Sequence, residues 1–197
     1  MASEPTPRSA PALPLRPGIV ATLFVGLVYA LFATHGTFRF KQSPFPHHVL
    51  VADAWLHGQM NVREDLLQQR FAEFQTRRRA ELEQQVGRPL TEMEWQSVRP
   101  RLGKGPLHDW ALVDGKYYGY WPPMVSALLL PYVAAVGPDA SDMLVSCLAG
   151  MASVFFTYLM LREAARRGFV PGTVATATRL TLLLGLGTVH FYLAATG

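Results

Sequence analysis

Charged residues are scarce in this chain, and those present are unevenly distributed. They make up 16% of the 197 residues, whereas a soluble domain has about a quarter. Most of them lie between Arg39 and Lys116, and the regions on either side are apolar with few charges. This distribution is typical of a membrane protein with one large aqueous loop. The net charge of +4 does not indicate a nucleic-acid-binding protein, because the basic residues alternate with Glu and Gln on a helical pattern.

Cysteine and recognisable catalytic motifs are lacking as well. The single Cys147 cannot form an internal disulfide, and its apolar neighbours predict a buried, unreactive thiol. The sequence has no nucleophile motif, no phosphate-binding loop and no zinc-ligand spacing. We therefore predict no cofactor and no resident metal. We expect the lipid bilayer and other integral membrane proteins of a larger complex as partners, and no nucleic acid.

Three apolar segments are long enough to form membrane-spanning helices. They cover residues 18–37, 142–161 and 177–197, and each approaches the ~20 residues that cross a hydrocarbon core of ~30 Å. A cleaved signal peptide is the alternative for the first segment, although its apolar core exceeds the usual length of about 7–15 residues. Residues 1–17 are rich in Pro, Ala and Ser, which predicts a disordered tail.

A fourth apolar segment, residues 122–137, is too short to cross comfortably. It starts at Pro122-Pro123 and is interrupted by Pro131. A segment of about 14 residues suits an interfacial or re-entrant position better than a span. We therefore expect it to lie at the membrane surface without crossing.

The positions of the arginines favour one topology. Short loops rich in Arg and Lys stay in the cytoplasm, whereas long loops cross regardless of their charge. Three spans then place the N-terminus and the basic loop 162–176 in the cytoplasm, and residues 38–141 in the periplasm. The prediction is a mainly α integral protein of the bacterial inner membrane, with three transmembrane helices and a large helical extracytoplasmic domain.

Within this large domain the sequence predicts a helical hairpin over residues 65–100. Asp65 is positioned to cap its first helix and Gly87 to end it. Thr91 and Glu94 have the spacing of a capping box at the start of the second helix.

A β-hairpin is predicted over residues 111–120. Its turn is Asp114-Gly115, a pair that readily adopts positive φ angles between two strand-forming runs. Aromatic residues follow the turn and are expected to form a belt at the water–lipid interface. These residues are Tyr117, Tyr118, Tyr120 and Trp121.

Few polar residues are candidates for chemistry or specific contacts. Asp53 and His57 share a helix face and could bind a divalent cation with His47 or His48, but polar residues at the edge of a membrane explain them equally. His190 lies in the third apolar segment, where a hydrogen bond across helices is the simplest role. Small residues in the second segment suggest close helix packing. They form the pairs Ser146 with Gly150 and Ala149 with Ser153.

The order of several motifs resembles the N-terminal part of bacterial polytopic membrane glycosyltransferases of the GT-C fold. The first motif is residues 52–58, Ala-Asp-Ala-Trp-Leu-His-Gly, after the first apolar segment. Asp114-Gly115-Lys116-Tyr117-Tyr118 follows, and then Pro122-Pro123 with Leu128-Leu129-Leu130-Pro131. The resemblance covers about residues 18–197, with residues 65–100 as an insertion.

This resemblance implies a polyprenyl-phosphate sugar donor and an acidic general base in the first external loop. Asp53 is the candidate base, and Asp114 is the next, although Asp114 is first a turn residue. Members of the family usually have an acidic residue soon after the first span, where this chain has residues 42–46, Gln-Ser-Pro-Phe-Pro. The family also has eight or more spans. Because this chain departs from the family in these two features, the sequence favours a non-catalytic accessory subunit that braces a larger membrane complex, respiratory or photosynthetic for example. The alternative is the N-terminal module of a GT-C glycosyltransferase.

Overall fold

The computed structural model describes residues 13–43, 46–102, 110–120, 122–170 and 172–188, which are mainly helical. The prediction of a mainly α chain with one small two-stranded sheet is confirmed. The described helices are α1 (Arg16–Ala33), α2 (His47–Leu56), α3 (Glu64–Val86), α4 (Glu92–Val98), α5 (Pro123–Val136), α6 (Asp142–Arg166) and α7 (Val174–Gly187). A 3₁₀ turn covers Arg99–Leu102, and the strands are β1 (Trp110–Val113) and β2 (Lys116–Gly119).

Two of the described helices are long and apolar enough to cross a membrane. They are α1, with 18 residues, and α6, with 25 residues. Helices α5 and α7 are also apolar but have only 14 residues each. Residues 189–197 of the predicted third span lie outside the described residues, so the part of the chain that the structure describes has two candidate spans where the sequence predicts three.

The chain divides into two compact units. The bundle unit comprises residues 1–41 and 143–197, and the middle unit comprises residues 42–142. Helices α1, α6 and α7 belong to the bundle unit, apart from the first residue of α6. Helices α2 to α5 and the small sheet belong to the middle unit.

In the bundle unit, α6 runs antiparallel to α1. Gly18 near the start of α1 lies against the Tyr158 ring, and Gly26 further along lies against the Met151 side chain. Helix α7 runs parallel to α1, and Gly185 near its end packs on Val25. The core contains Val25, Tyr29, Ala33, Cys147 and Val154. The buried thiol that the sequence predicts at Cys147 is therefore confirmed.

The segment before α1 and the end of α6 differ from the boundaries that the sequence predicts. Leu13 is only 8% exposed, and its carbonyl accepts a hydrogen bond from Arg162 Nε at 2.6 Å. The Pro14 carbonyl accepts one from the Tyr158 hydroxyl at 2.7 Å. Leu13 and Pro14, which the sequence assigns to a disordered tail, therefore contact α6, and α1 begins at Arg16. Helix α6 continues to Arg166, past residue 161 where the predicted membrane span ends, and Glu163 pairs there with two arginines at helical spacing.

In the middle unit, α2 packs mainly on α5. Helix α5 continues through Pro131, where the sequence predicts an interruption. A proline inside a helix removes one backbone hydrogen bond without necessarily ending the helix. A second group of buried residues joins α2 and α3 to β1. It comprises Leu50, Val62, Leu66, Leu67 and Trp110.

The local signals of the middle unit are mostly where the sequence places them. Asp114 and Gly115 have φ angles of 48° and 74° and join the two antiparallel strands. The capping box of Thr91 and Glu94 is present, with both backbone N–H groups bonded. Asp65 does not cap α3, because the helix already begins at Glu64 and the Asp65 side chain instead accepts hydrogen bonds from Arg63.

Candidate functional site

Asp53 is the buried acidic residue of α2. The residue is only 2% exposed, because its neighbours Val49, Leu50, Ala52 and Ala54 are buried as well. Its Oδ2 atom is buried and has no hydrogen-bond partner among the described residues. A buried carboxylate oxygen without a partner costs free energy, and such groups are often found where a ligand or a reaction uses them.

Two cationic or titratable side chains lie near this oxygen at more than hydrogen-bond distance. Arg63 NH1 is 3.6 Å from Asp53 Oδ2, and His57 Nδ1 is 3.7 Å from it. The His57 Nδ1–H instead donates to the Asp53 backbone carbonyl at 2.8 Å. A guanidinium and an imidazole therefore lie near the carboxylate, but neither donates a hydrogen bond to Oδ2.

Arg63 makes its short contact elsewhere. Its NH2 group lies 2.8 Å from Asp65 Oδ2, and this hydrogen bond lowers the pKa of the exposed Asp65 carboxyl. The Arg63 side chain is 30% exposed and lies between two carboxylates, so part of the guanidinium remains accessible to a further anion. This property suits a residue at the edge of a binding site.

The side chains of Asp53, His57 and Arg63 line one side of an open groove of about 440 Å³. The other side is apolar and comes from the end of α5 and the turn after it. The full lining is Asp53, Leu56, His57, Arg63, Val133, Ala134, Gly137 and Pro138.

The turn that forms this second side is held by polar side chains from distant parts of the middle unit. Gln42 Nε2 donates to the Pro138 carbonyl at 2.7 Å and to the Ala140 carbonyl at 3.1 Å. Arg70 NH2 donates to the same Pro138 carbonyl at 3.3 Å and pairs with Asp139. The turn on the apolar side of the groove is therefore held by two polar side chains that are distant in sequence.

The cation site considered for Asp53, His57, His47 and His48 is not formed. Within the described ranges, no group of three or more His, Cys, Asp or Glu side chains is placed to hold a metal ion. The His47 ring instead lies 5.4 Å from the Trp110 ring, and His48 Nδ1 lies 3.1 Å from Ser126 Oγ. Both histidines thus contribute to packing α2 against its neighbours.

Asp114, the second candidate base, lies in the exposed hairpin turn, in keeping with a turn role. In the predicted aromatic belt, Tyr117 and Tyr118 are half-buried in β2, and Tyr120 is 60% exposed. Trp121 lies outside the described residues.

The small residues of α6 face two directions. Gly150 is buried, whereas Ala149 and Ser153 are exposed on the helix surface. Ser146 is half-buried. His190 lies outside the described residues.

Sequence reasoning missed Arg63, Arg70 and the Pro138 turn as parts of the site. Arg63 precedes a long charged helix and is indistinguishable there from a solvent-exposed arginine. The packing of α2 on α5 brings Asp53 near the Pro138 turn, and the Val62 N–H, which donates to the Tyr117 carbonyl at 2.9 Å, holds the segment next to Arg63. Comparisons with protein-family models, with curated proteins and with solved structures find no match to this chain.

Proposed function

We propose that this chain is a module of a membrane glycosyltransferase of the GT-C type, with Asp53 as its general base. The observation that supports this most strongly is the Asp53 Oδ2 atom, which is buried, has no hydrogen-bond partner among the described residues and belongs to a residue that lines a groove. The sequence alone favours an accessory subunit, partly because an acidic residue is missing at residues 42–46. Asp53 offers a carboxylate in the middle unit, which we expect to be extracytoplasmic.

The proposed reaction transfers a sugar from a polyprenyl phosphate to a hydroxyl acceptor. Asp53 Oδ2 takes the proton of the acceptor hydroxyl. At the same time the hydroxyl oxygen of the acceptor attacks the anomeric carbon of the sugar. The bond from that carbon to the phosphate oxygen breaks, and the polyprenyl phosphate leaves with the electron pair. General-base catalysis of this kind needs a carboxylate within hydrogen-bond reach of the acceptor.

In this proposal Arg63 stabilises the leaving phosphate. Its guanidinium has hydrogen-bond donors on a planar group that matches phosphate oxygens, and it is already shared between Asp53 and Asp65. The apolar side of the groove, with Val133 and Ala134, suits the first isoprene units of the donor.

The proposed membrane arrangement places the arginine-rich end of the bundle in the cytoplasm. Arg162 donates a hydrogen bond to the carbonyl of Leu13, just before α1. The basic residues that follow Arg162 in α6 therefore lie at the same end of the bundle as Arg16. The positive-inside tendency then puts the start of α1 and the end of α6 inside, and the middle unit in the periplasm of a bacterial cell.

A labelling experiment tests this arrangement. Phe169 is 75% exposed and follows the end of α6, so a Phe169→Cys variant presents a thiol there, while the native Cys147 is buried. We expect an impermeant maleimide to label Phe169→Cys only after the membrane is opened. Labelling in intact cells would contradict the topology but not the proposed chemistry.

A substitution tests the chemistry. Asp53→Ala should abolish transfer of sugar from a radiolabelled polyprenyl-phosphate sugar in membranes that contain the full protein, while the protein remains present at its normal level. The control is Asp114→Asn, because Asp114 is exposed in the hairpin turn and asparagine also tolerates its positive φ angle. Equal transfer by wild type and Asp53→Ala would exclude Asp53 as the base.

The accessory subunit of a larger membrane complex is a second proposal, favoured by one surface of α6. Ala149 and Ser153 are exposed on it, and small residues let a second helix approach closely. Ala149→Leu should then release a partner protein on purification in mild detergent. Isolation of wild-type protein as a lone monomer would contradict this role.

A further inference from the structure

A groove runs along the outside of the bundle unit between α1 and α7. It has a volume of about 420 Å³. Its walls come from Val20, Ala21 and Phe24 of α1 and from Thr178 and Leu182 of α7, and Arg16 lies at one end.

The groove is apolar apart from this end. The Thr178 hydroxyl donates to the Val174 carbonyl of its own helix at 2.8 Å, so it offers no free donor to a ligand. Val20 and Phe24 are 65% and 52% exposed. A ligand that fills the groove therefore needs an apolar segment along its length and an anionic group at the Arg16 end.

From Arg16 to Phe24 the groove is about 12 Å long, because a helix rises 1.5 Å per residue. That length is close to the ~15 Å depth of hydrocarbon in one leaflet of a bilayer. The bulky Val20 and Phe24 side chains at its edge hinder the close approach of another helix, which small residues would allow. A flexible acyl chain fits between them.

The charge at the Arg16 end is positive. Arg16 is exposed and is the charged residue among the described residues that line the groove. Basic pockets between membrane helices bind the head groups of anionic lipids.

We propose that this groove binds one acyl chain of an anionic phospholipid, whose phosphate lies against Arg16. The inference rests on the membrane location proposed above and is independent of the chemistry at Asp53. It assigns a specific lipid site to a helix surface outside the catalytic groove.

The test is native mass spectrometry of the full protein in detergent, with added phosphatidylglycerol or phosphatidylcholine of identical acyl chains. Wild type should bind phosphatidylglycerol about fivefold more tightly, the effect expected of one basic residue near a lipid head group. Arg16→Gln should bind both lipids equally. Equal binding of the two lipids by wild type, or a preference that survives in Arg16→Gln, would overturn the proposal.

Two matched variants test the acyl-chain part of the site. Val20→Trp fills the groove and should abolish binding of both lipids. Leu23→Trp places the same ring on an exposed residue of α1 that does not line the groove, and it should bind as wild type does. Retention of lipid by Val20→Trp would contradict the site.

Carbonate extraction of the same membranes separates this proposal from the membrane location. A protein that is washed off by carbonate is not integral, and the proposed membrane location then fails together with the lipid site. A protein that stays in the membrane but shows no lipid preference leaves the location intact and refutes only the lipid site.

Discussion

The Tyr29 hydroxyl donates a buried hydrogen bond to the Gly185 carbonyl at 2.7 Å, across 156 residues of sequence. It joins α1 to α7 in the centre of the bundle unit. Tyr29→Phe should lower the free energy of unfolding by about 1 kcal/mol, because hydrogen bonds between helices in a membrane contribute about this much. Thermal unfolding in detergent measures it. Tyr118→Phe, half-buried in the middle unit, is the control, and an equal loss in both variants would contradict a specific α1–α7 bond.

The two glycines of α1 that face α6 should differ in their tolerance of a methyl group. A Cβ atom at Gly18 would lie 2.2 Å from Cδ1 of the rigid Tyr158 ring, whereas one at Gly26 would meet the flexible Met151 side chain. Gly18→Ala should therefore destabilise the bundle by about 1–3 kcal/mol, as overpacking usually does, and Gly26→Ala by less. Denaturation in detergent compares them. Greater damage from Gly26→Ala would show that α6 is not positioned on α1 as described.

Arg70 fixes the turn that forms one side of the groove. Arg70→Gln removes its contacts to Pro138 and Asp139, and the loss of hydrogen bonds from a charged donor costs about 1–3 kcal/mol. Amide hydrogen exchange at residues 137–142 should become faster. Arg78→Gln is the matched control, because Arg78 pairs only with Glu81 of its own helix among the described residues. Unchanged exchange in Arg70→Gln would mean that Gln42 holds the turn alone.

Stability of the middle unit should fall on mild acidification. Burial lowers the pKa of His48 below its usual 6.5, against the opposite effect of Asp142. Below pH 6.5 the unfolded chain therefore takes up a proton that folded His48 does not, and stability is lost as the pH falls toward the folded pKa. His48→Asn should lack this loss when unfolding is followed between pH 7 and pH 5. The same pH dependence in both proteins would refute the role of His48.

Local features of the fold follow from short sequence patterns. The positive φ angles at Asp114 and Gly115 and the capping box at Thr91 and Glu94 depend only on neighbouring residues, so the sequence predicts them. Helix α6 continues to Arg166, past the end of its apolar run, which hydrophobicity alone does not indicate. The packing of Leu13 depends on a contact with Arg162, far away in the sequence.

Only part of the candidate site can be predicted from the sequence, because the rest depends on contacts between residues that are far apart in the chain. Asp53 and His57 share a helix face, and this is visible in the sequence. The Pro138 turn reaches the site through the packing of α2 on α5 and through Arg70, and Arg63 follows Val62, whose N–H donates to the Tyr117 carbonyl. No local pattern records these contacts. Burial of Asp53 is likewise a tertiary property, and it is the feature that supports the proposed role of Asp53 as a general base.

The most direct measurement is the rate of sugar transfer by purified Asp53→Asn, with a polyprenyl-phosphate sugar as donor. The amide keeps the size of the carboxylate but cannot accept the proton. We expect the rate to fall by about 100-fold or more, the usual contribution of a general base, while Asp114→Asn in the exposed hairpin turn keeps the wild-type rate and both variants unfold at the wild-type temperature. A folded Asp53→Asn protein that transfers sugar at the wild-type rate would contradict the proposed function of Asp53.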